Sequence, residues 1–156
     1  MKRTAVLAAI AFALVAPPAA MGAAPTLEVR EIEVRLFHSH TGTFSEPIPE
    51  GAVLWNTIIG EGDAREPSTS TLVKVKVVGA PSKFKERTAV QLTVRTVGQN
   101  TQPTILRKSL GLFGKDGGQF VAFWLPNTGC EALLLAASVT GSSSALKHTV
   151  PFKCGE

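Results

Sequence analysis

Between Thr71 and Val78 the chain reads Thr-Leu-Val-Lys-Val-Lys-Val-Val, which puts Val73, Val75 and Val77 on one parity and Lys74 and Lys76 on the other. Alternate side chains of an extended backbone point to opposite faces, so this segment is a strand with one face buried and one in water. The same period recurs in Val90, Leu92 and Val94, which alternate with Gln91, Thr93 and Arg95. Gly and Pro clusters break the chain at intervals, and no stretch after residue 25 repeats apolar residues at helical spacing. The pattern predicts about eight strands, over 26–38, 52–59, 70–78, 88–97, 104–113, 119–125, 130–140 and 145–154. Strands in this succession without helices between them close into an all-β, single antiparallel sandwich or barrel. Hydrophobic residues at 44% and charged residues at 18% exclude a disordered chain, and 156 residues make one ordinary domain.

Within this frame some pairings are readable. The first strand changes phase at Arg30 and Glu31: Leu27 and Val29 have one parity, Ile32, Val34 and Leu36 the other. An inserted residue or bend there would let the strand pass from one sheet to the other. Asp116-Gly117 is a hairpin dipeptide; it would set Phe113 against Phe120 and Ser109 against Trp124. A turn centred on Ser142 pairs residues whose numbers sum to 284, so Leu134 faces Val150, Ala132 faces Phe152 and Cys130 faces Cys154. These are the chain's two cysteines, and directly opposed strand positions lie close enough for a disulfide. A Cys130–Cys154 bond is therefore expected. A two-cysteine metal or redox site lacks both the C-x-x-C spacing and further ligands.

The segment Ala132 to Val139 is apolar on both parities, as a central strand is. Seven or eight strands with a central penultimate strand and a final partner resemble the immunoglobulin/fibronectin-III-like class of sandwiches. The resemblance is one of architecture. The chain contains no Tyr, so the tyrosine corner common in that class is absent, and its cysteines sit within one hairpin and not between sheets.

Residues 1–22 carry the three parts of a secretory signal peptide: a cationic start at Lys2 and Arg3, an apolar run from Thr4 to Ala16, and a small-residue exit with Ala20 and Gly22. The run has 13 residues, short of the roughly 20 of a spanning helix, and Pro17 and Pro18 end it. Cleavage near Gly22 is expected, leaving a sandwich domain over 23–156 in the periplasm or the medium, not an integral membrane protein. The processed chain has 14 basic and 12 acidic residues. The segment Lys83, Lys85, Arg87 is interrupted by Glu86 and has no interleaved aromatic residues, so no nucleic-acid partner is expected.

Several constellations are candidates for chemistry. His38 and His40, at i and i+2 of an extended strand, share the face of Ile32, Val34 and Leu36, and two imidazoles so placed can grip one Zn or Cu ion. His148, Glu46 or another carboxylate would have to complete the set. His148 itself sits on the inward parity of its hairpin, opposite Ala136, where a lone histidine is usually structural. The loop Gly60 to Glu66 offers Glu61, Asp63 and Glu66 as oxygen ligands for calcium, although Arg65 competes for them. No G-x-S-x-G, H-E-x-x-H or phosphate-cradling glycine motif is present. Aromatic residues amount to 6%, which speaks against a carbohydrate-stacking platform. The expectation is an exported, non-catalytic sandwich that binds another envelope protein or serves as an accessory module; the alternative is a periplasmic metal-binding protein using His38 and His40.

Overall fold

In the computed structural model the described residues are 26–83, 87–98 and 102–155, the Asp63 side chain excepted. The expected signal peptide, residues 1–22, lies outside them. The described chain forms nine strands: β1 (Glu28–His38), β2 (Thr43–Phe44), β3 (Leu54–Trp55), β4 (Ser70–Val78), β5 (Ala89–Thr96), β6 (Thr104–Ser109), β7 (Gly118–Pro126), β8 (Glu131–Val139) and β9 (Leu146–Lys153). They make a four-stranded sheet, β2-β1-β4-β7, and a five-stranded sheet, β3-β9-β8-β5-β6. The one helical piece among them is a 3-10 turn over Gly62–Ala64. No helix of the described residues is long and apolar enough to cross a membrane.

One parity of each long strand builds the core, and on β1, β4, β5 and β9 it is the parity read from the sequence. Val34, Val73, Val75, Val77 and Phe123 come from the first sheet; Val90, Leu92, Leu135, Ala137, Val150 and Phe152 come from the second. All are buried, and a side chain of this size gives roughly 1.5–3 kcal/mol when fully withdrawn from water. As the two-faced apolar pattern predicts, β8 is central, flanked by β9 and β5.

Four expectations need correction. First, the irregularity in β1 falls between Val29 and Glu31 as expected, but the strand stays beside β4 on both sides of it and does not change sheets. The bulge restores the inward parity within one ladder. Second, the Asp116-Gly117 hairpin does not form: β6 pairs with β5, and β7 pairs with β4 in the other sheet. Leu110 and Phe113 are not strand positions but buried plugs of the crossing. The turn it contains runs from Gly114 to Gly117, with the Gly117 N–H donating to the Gly114 carbonyl at 3.0 Å. Gly117 has positive φ and Asp116 does not, so the turn lacks the paired left-handed residues of a two-residue hairpin. Third, only Leu54 and Trp55 of the expected strand 52–59 pair, and they run parallel to β9, so the sandwich is not purely antiparallel. Asn56 ends the strand in a left-handed conformation. Its side chain ties the segment to the chain's end: Nδ2 donates to the Gly155 carbonyl at 3.2 Å, and Oδ1 accepts from the Gly155 N–H at 3.1 Å.

The fourth correction concerns the final hairpin. Glu131 lies opposite Lys153, the expected register, but beyond an irregularity between Glu131 and Leu133 the pairing slips by one, giving Leu133 opposite Val150 and Leu135 opposite His148. Leu134 therefore faces solvent. The expected register holds where the cysteines are. Cys130 and Cys154 are bonded, with Cα atoms 4.7 Å apart.

Candidate functional site

The inward parity Ile32, Val34, Leu36 continues to His38, the last residue of β1, which is 6% exposed. The chain then turns through 39–42 and comes back as β2, with Phe44 opposite Phe37. It follows β1 a little further: the Ser45 N–H donates to the Leu36 carbonyl, the Leu36 N–H to Ser45 Oγ, and the Ile48 N–H to the Val34 carbonyl. Beyond Ile48 comes Pro49, which has no N–H to offer, and the segment crosses to β3 in the other sheet. Because the crossing segment stands off the core, it leaves a cavity of about 580 Å³ whose walls include Leu36, His38, Phe44, Ile48 and Leu54. Glu46, Arg65 and Glu66 also line it. His38 Nδ1 is buried without a hydrogen-bond partner in the protein.

This cavity collects part of the expected metal and calcium sets and separates the rest. His38 and His40 do not share a strand face, because β1 ends at His38 and His40 is an exposed turn residue. His148 is buried on β9, in the opposite sheet. Burial holds its imidazole below the ordinary histidine value, and the nearby charge of Glu50 opposes that shift weakly. Of the calcium candidates, Glu61 accepts from Asn56 Nδ2 at 2.9 Å, whereas Glu66 accepts from Thr41 Oγ1 at 2.9 Å, and Asp63 lies in the 3-10 turn. Among the described residues no three His, Cys, Asp or Glu side chains converge in a way that could hold a metal ion. The sequence reading paired residues by number along one strand; the turn at 39–42 and the separate partners of Glu61 and Glu66 undo that pairing.

The more developed surface is one the sequence reading missed. On the outer face of the four-stranded sheet β1 presents Glu33, Arg35 and Phe37, β4 presents Leu72, Lys74 and Lys76, and β7 presents Phe120, Ala122 and Trp124. The register sets Leu72 beside Trp124, Lys74 beside Ala122 and Lys76 beside Phe120. Phe37, Phe44 and Trp124 form one cluster: Phe37 lies 5.3 Å from Phe44 and 5.0 Å from Trp124 between ring centroids, and Phe44 lies 6.4 Å from Trp124. Phe120 extends it, with Lys74 Nζ 5.3 Å and Lys76 Nζ 5.5 Å from its ring centre. Phe44, Phe120 and Trp124 keep 44%, 53% and 43% of their surface in water. Four of the chain's ten Phe and Trp residues thus share one face, and Phe44 also lines the cavity.

The polar part of this face is held in place. Lys74 Nζ donates to both Glu33 carboxylate oxygens at 2.9 Å, and Arg35 Nε donates to Oε1. The Arg35 bond above all, then Lys74, holds the Glu33 carboxyl below the usual carboxylate range against the opposing effect of burial. Chemically the face offers exposed π-surfaces beside fixed charges of both signs. Register gathers these residues from three separate segments, which the total aromatic content does not reveal. Comparison of the chain with protein-family models and with curated proteins finds no match.

Proposed function

We propose that the chain is an exported, non-catalytic sandwich of the immunoglobulin/fibronectin-III-like type, serving as a protein-binding or accessory module of the cell envelope. The architecture is supported by the order β1-β4-β7 in one sheet and β9-β8-β5-β6 in the other, with β3 alongside β9. Export is supported by the signal-like pattern of residues 1–22 and by a disulfide, which persists in an oxidising compartment. The observation that carries the binding function is the aromatic cluster on the outer sheet face. Aromatic residues rimmed by charged ones are typical of protein interfaces, and contiguous exposed apolar patches mark interaction sites.

The test is site-specific photo-crosslinking in the cell that makes the protein. A photoreactive phenylalanine analogue at Phe120 or at Trp124 should give a discrete adduct with another envelope protein. The same analogue at Leu134, exposed on the opposite sheet, should not. Absence of an adduct from both sheet-face positions would refute the assignment.

A further inference from the structure

A sheet edge is a row of unpaired backbone donors and acceptors, and stable monomers blunt it with charge, Pro, bulges or short strands. Three of this protein's edges are blunted in that way. The outer part of β1 carries Glu28, Arg30, Glu31 and Glu33 and a bulge at Arg30. β3 has two residues, and β6 carries Arg107 and Lys108. β7 is the exception. It runs Gly-Gln-Phe-Val-Ala-Phe-Trp-Leu-Pro over Gly118–Pro126, with no charged residue and with Pro only at its last position. It pairs with β4 along one side and, among the described residues, with no strand along the other. At its start the Gly118 N–H donates to Asp116 Oδ1 and the Gly118 carbonyl accepts from the Gly114 N–H, and the stretch beyond, residues 119–126, makes an open edge roughly 27 Å long.

We infer that β7 pairs antiparallel with β7 of a second copy, about a two-fold axis through Ala122, joining the two four-stranded sheets into one. The strand itself argues for a second copy. Its central five residues, read outward from Ala122, are palindromic in character: Val121 mirrors Phe123, and Phe120 mirrors Trp124. Self-pairing in that register sets Phe120 against Trp124 of the second copy on the outer face, and Val121 against its Phe123 on the inner face. Aromatic and β-branched pairs of this kind stabilise a ladder. The cations of the face do not oppose it, since Lys74 and Lys76 sit one strand back, over the Phe120 ring. The aromatic cluster also becomes continuous, running from Phe44 and Phe37 through Trp124 to Phe120 of the second copy. The arrangement is isologous, as a closed two-fold requires. It stands independently of any binding by the sheet face.

The experiment is sedimentation equilibrium of the processed chain across the micromolar range, with the Ala122→Lys and Leu134→Lys variants. Ala122 is exposed on the outer face, and two lysines meeting on the axis should weaken the dimer by about two- to fivefold. Leu134→Lys should leave it unchanged. An Ala122→Cys variant should form an intermolecular disulfide in air, and Leu72→Cys, one strand further in, should not. A wild-type chain that is monomeric throughout, or a dimer that survives Ala122→Lys at full strength, overturns the inference. If Ala122→Lys melts early, the Ala122→Cys crosslink decides, and its failure to form overturns it equally. A monomer that still gives the envelope adduct ends this proposal alone; a dimer without that adduct ends only the binding function.

Discussion

Replacing both Cys130 and Cys154 by Ala tests the structure where sequence and geometry meet most directly. The bond joins residues 24 apart and closes the open end of the β8–β9 hairpin. In the chain-entropy account, a loop of about 25 residues costs the denatured state roughly 12 cal/mol/K, or about 3.5 kcal/mol at 25 °C. Little burial is lost with the sulfurs, because Cys154 is exposed and Cys130 only half-buried. The effect should therefore arise mainly in the unfolded chain. For a domain of roughly 130 residues, unfolding entropy near 0.27 kcal/mol/K converts this to a melting point lower by about 10–13 °C. Calorimetry of the domain over 23–156 and of its double variant measures it. The denaturant slope should rise as well, since the uncrosslinked chain expands further. A double variant melting within about 2 °C of the parent with an unchanged slope, or free thiols titrating in the unreduced parent, would refute the reasoning.

Two further outcomes follow from the packing. Gly129 is buried at φ +130, and a Cβ there would lie 2.6 Å from Thr57 Oγ1 and 2.8 Å from Ile58 Cγ2; Gly129→Ala should cost roughly 2–5 kcal/mol from backbone strain and overpacking together, read as a lower midpoint in a denaturant titration. His148 takes up protons less readily folded than unfolded, so unfolding free energy should be full above the ordinary histidine value of about 6.5 and fall as pH drops through it, by at most ~1.4 kcal/mol per pH unit. His148→Leu should flatten that slope between pH ~5 and ~7, and an unchanged slope would show that another group carries it.

What the sequence made legible was set by the period of two. β4 was readable because its two parities differ sharply, valine on one and lysine on the other, and in the structure Val73, Val75 and Val77 are buried and Lys74 and Lys76 are not. In β8 the run from Ala132 to Ala137 is apolar on both parities, so nothing in it penalised a slip of one residue. The bulge near Ala132 exploited that freedom, and the register held at the cysteines, where a covalent bond fixes it. Alternation says which residues share a face of their own strand, but it does not say which strand lies beside them. That is why the crossing from β6 to β7 reads as a hairpin in the sequence, with Phe113 set against Phe120 and not, as in the structure, buried in the core. The candidate site failed to show for the same reason. Phe37, Phe44 and Trp124 are ordinary outward residues of three segments until β1 turns back at 39–42 and β4 brings β7 alongside. The histidine pair erred in the opposite direction, since adjacency in number was taken for adjacency in space across a strand end. A surface assembled by register belongs to the sheet and not to any one of its strands, so only knowledge of strand order can reveal it. The blunted edges, by contrast, are properties of single strands. Once the order is known, the uncharged β7 is the strand that breaks the rule the other edges obey.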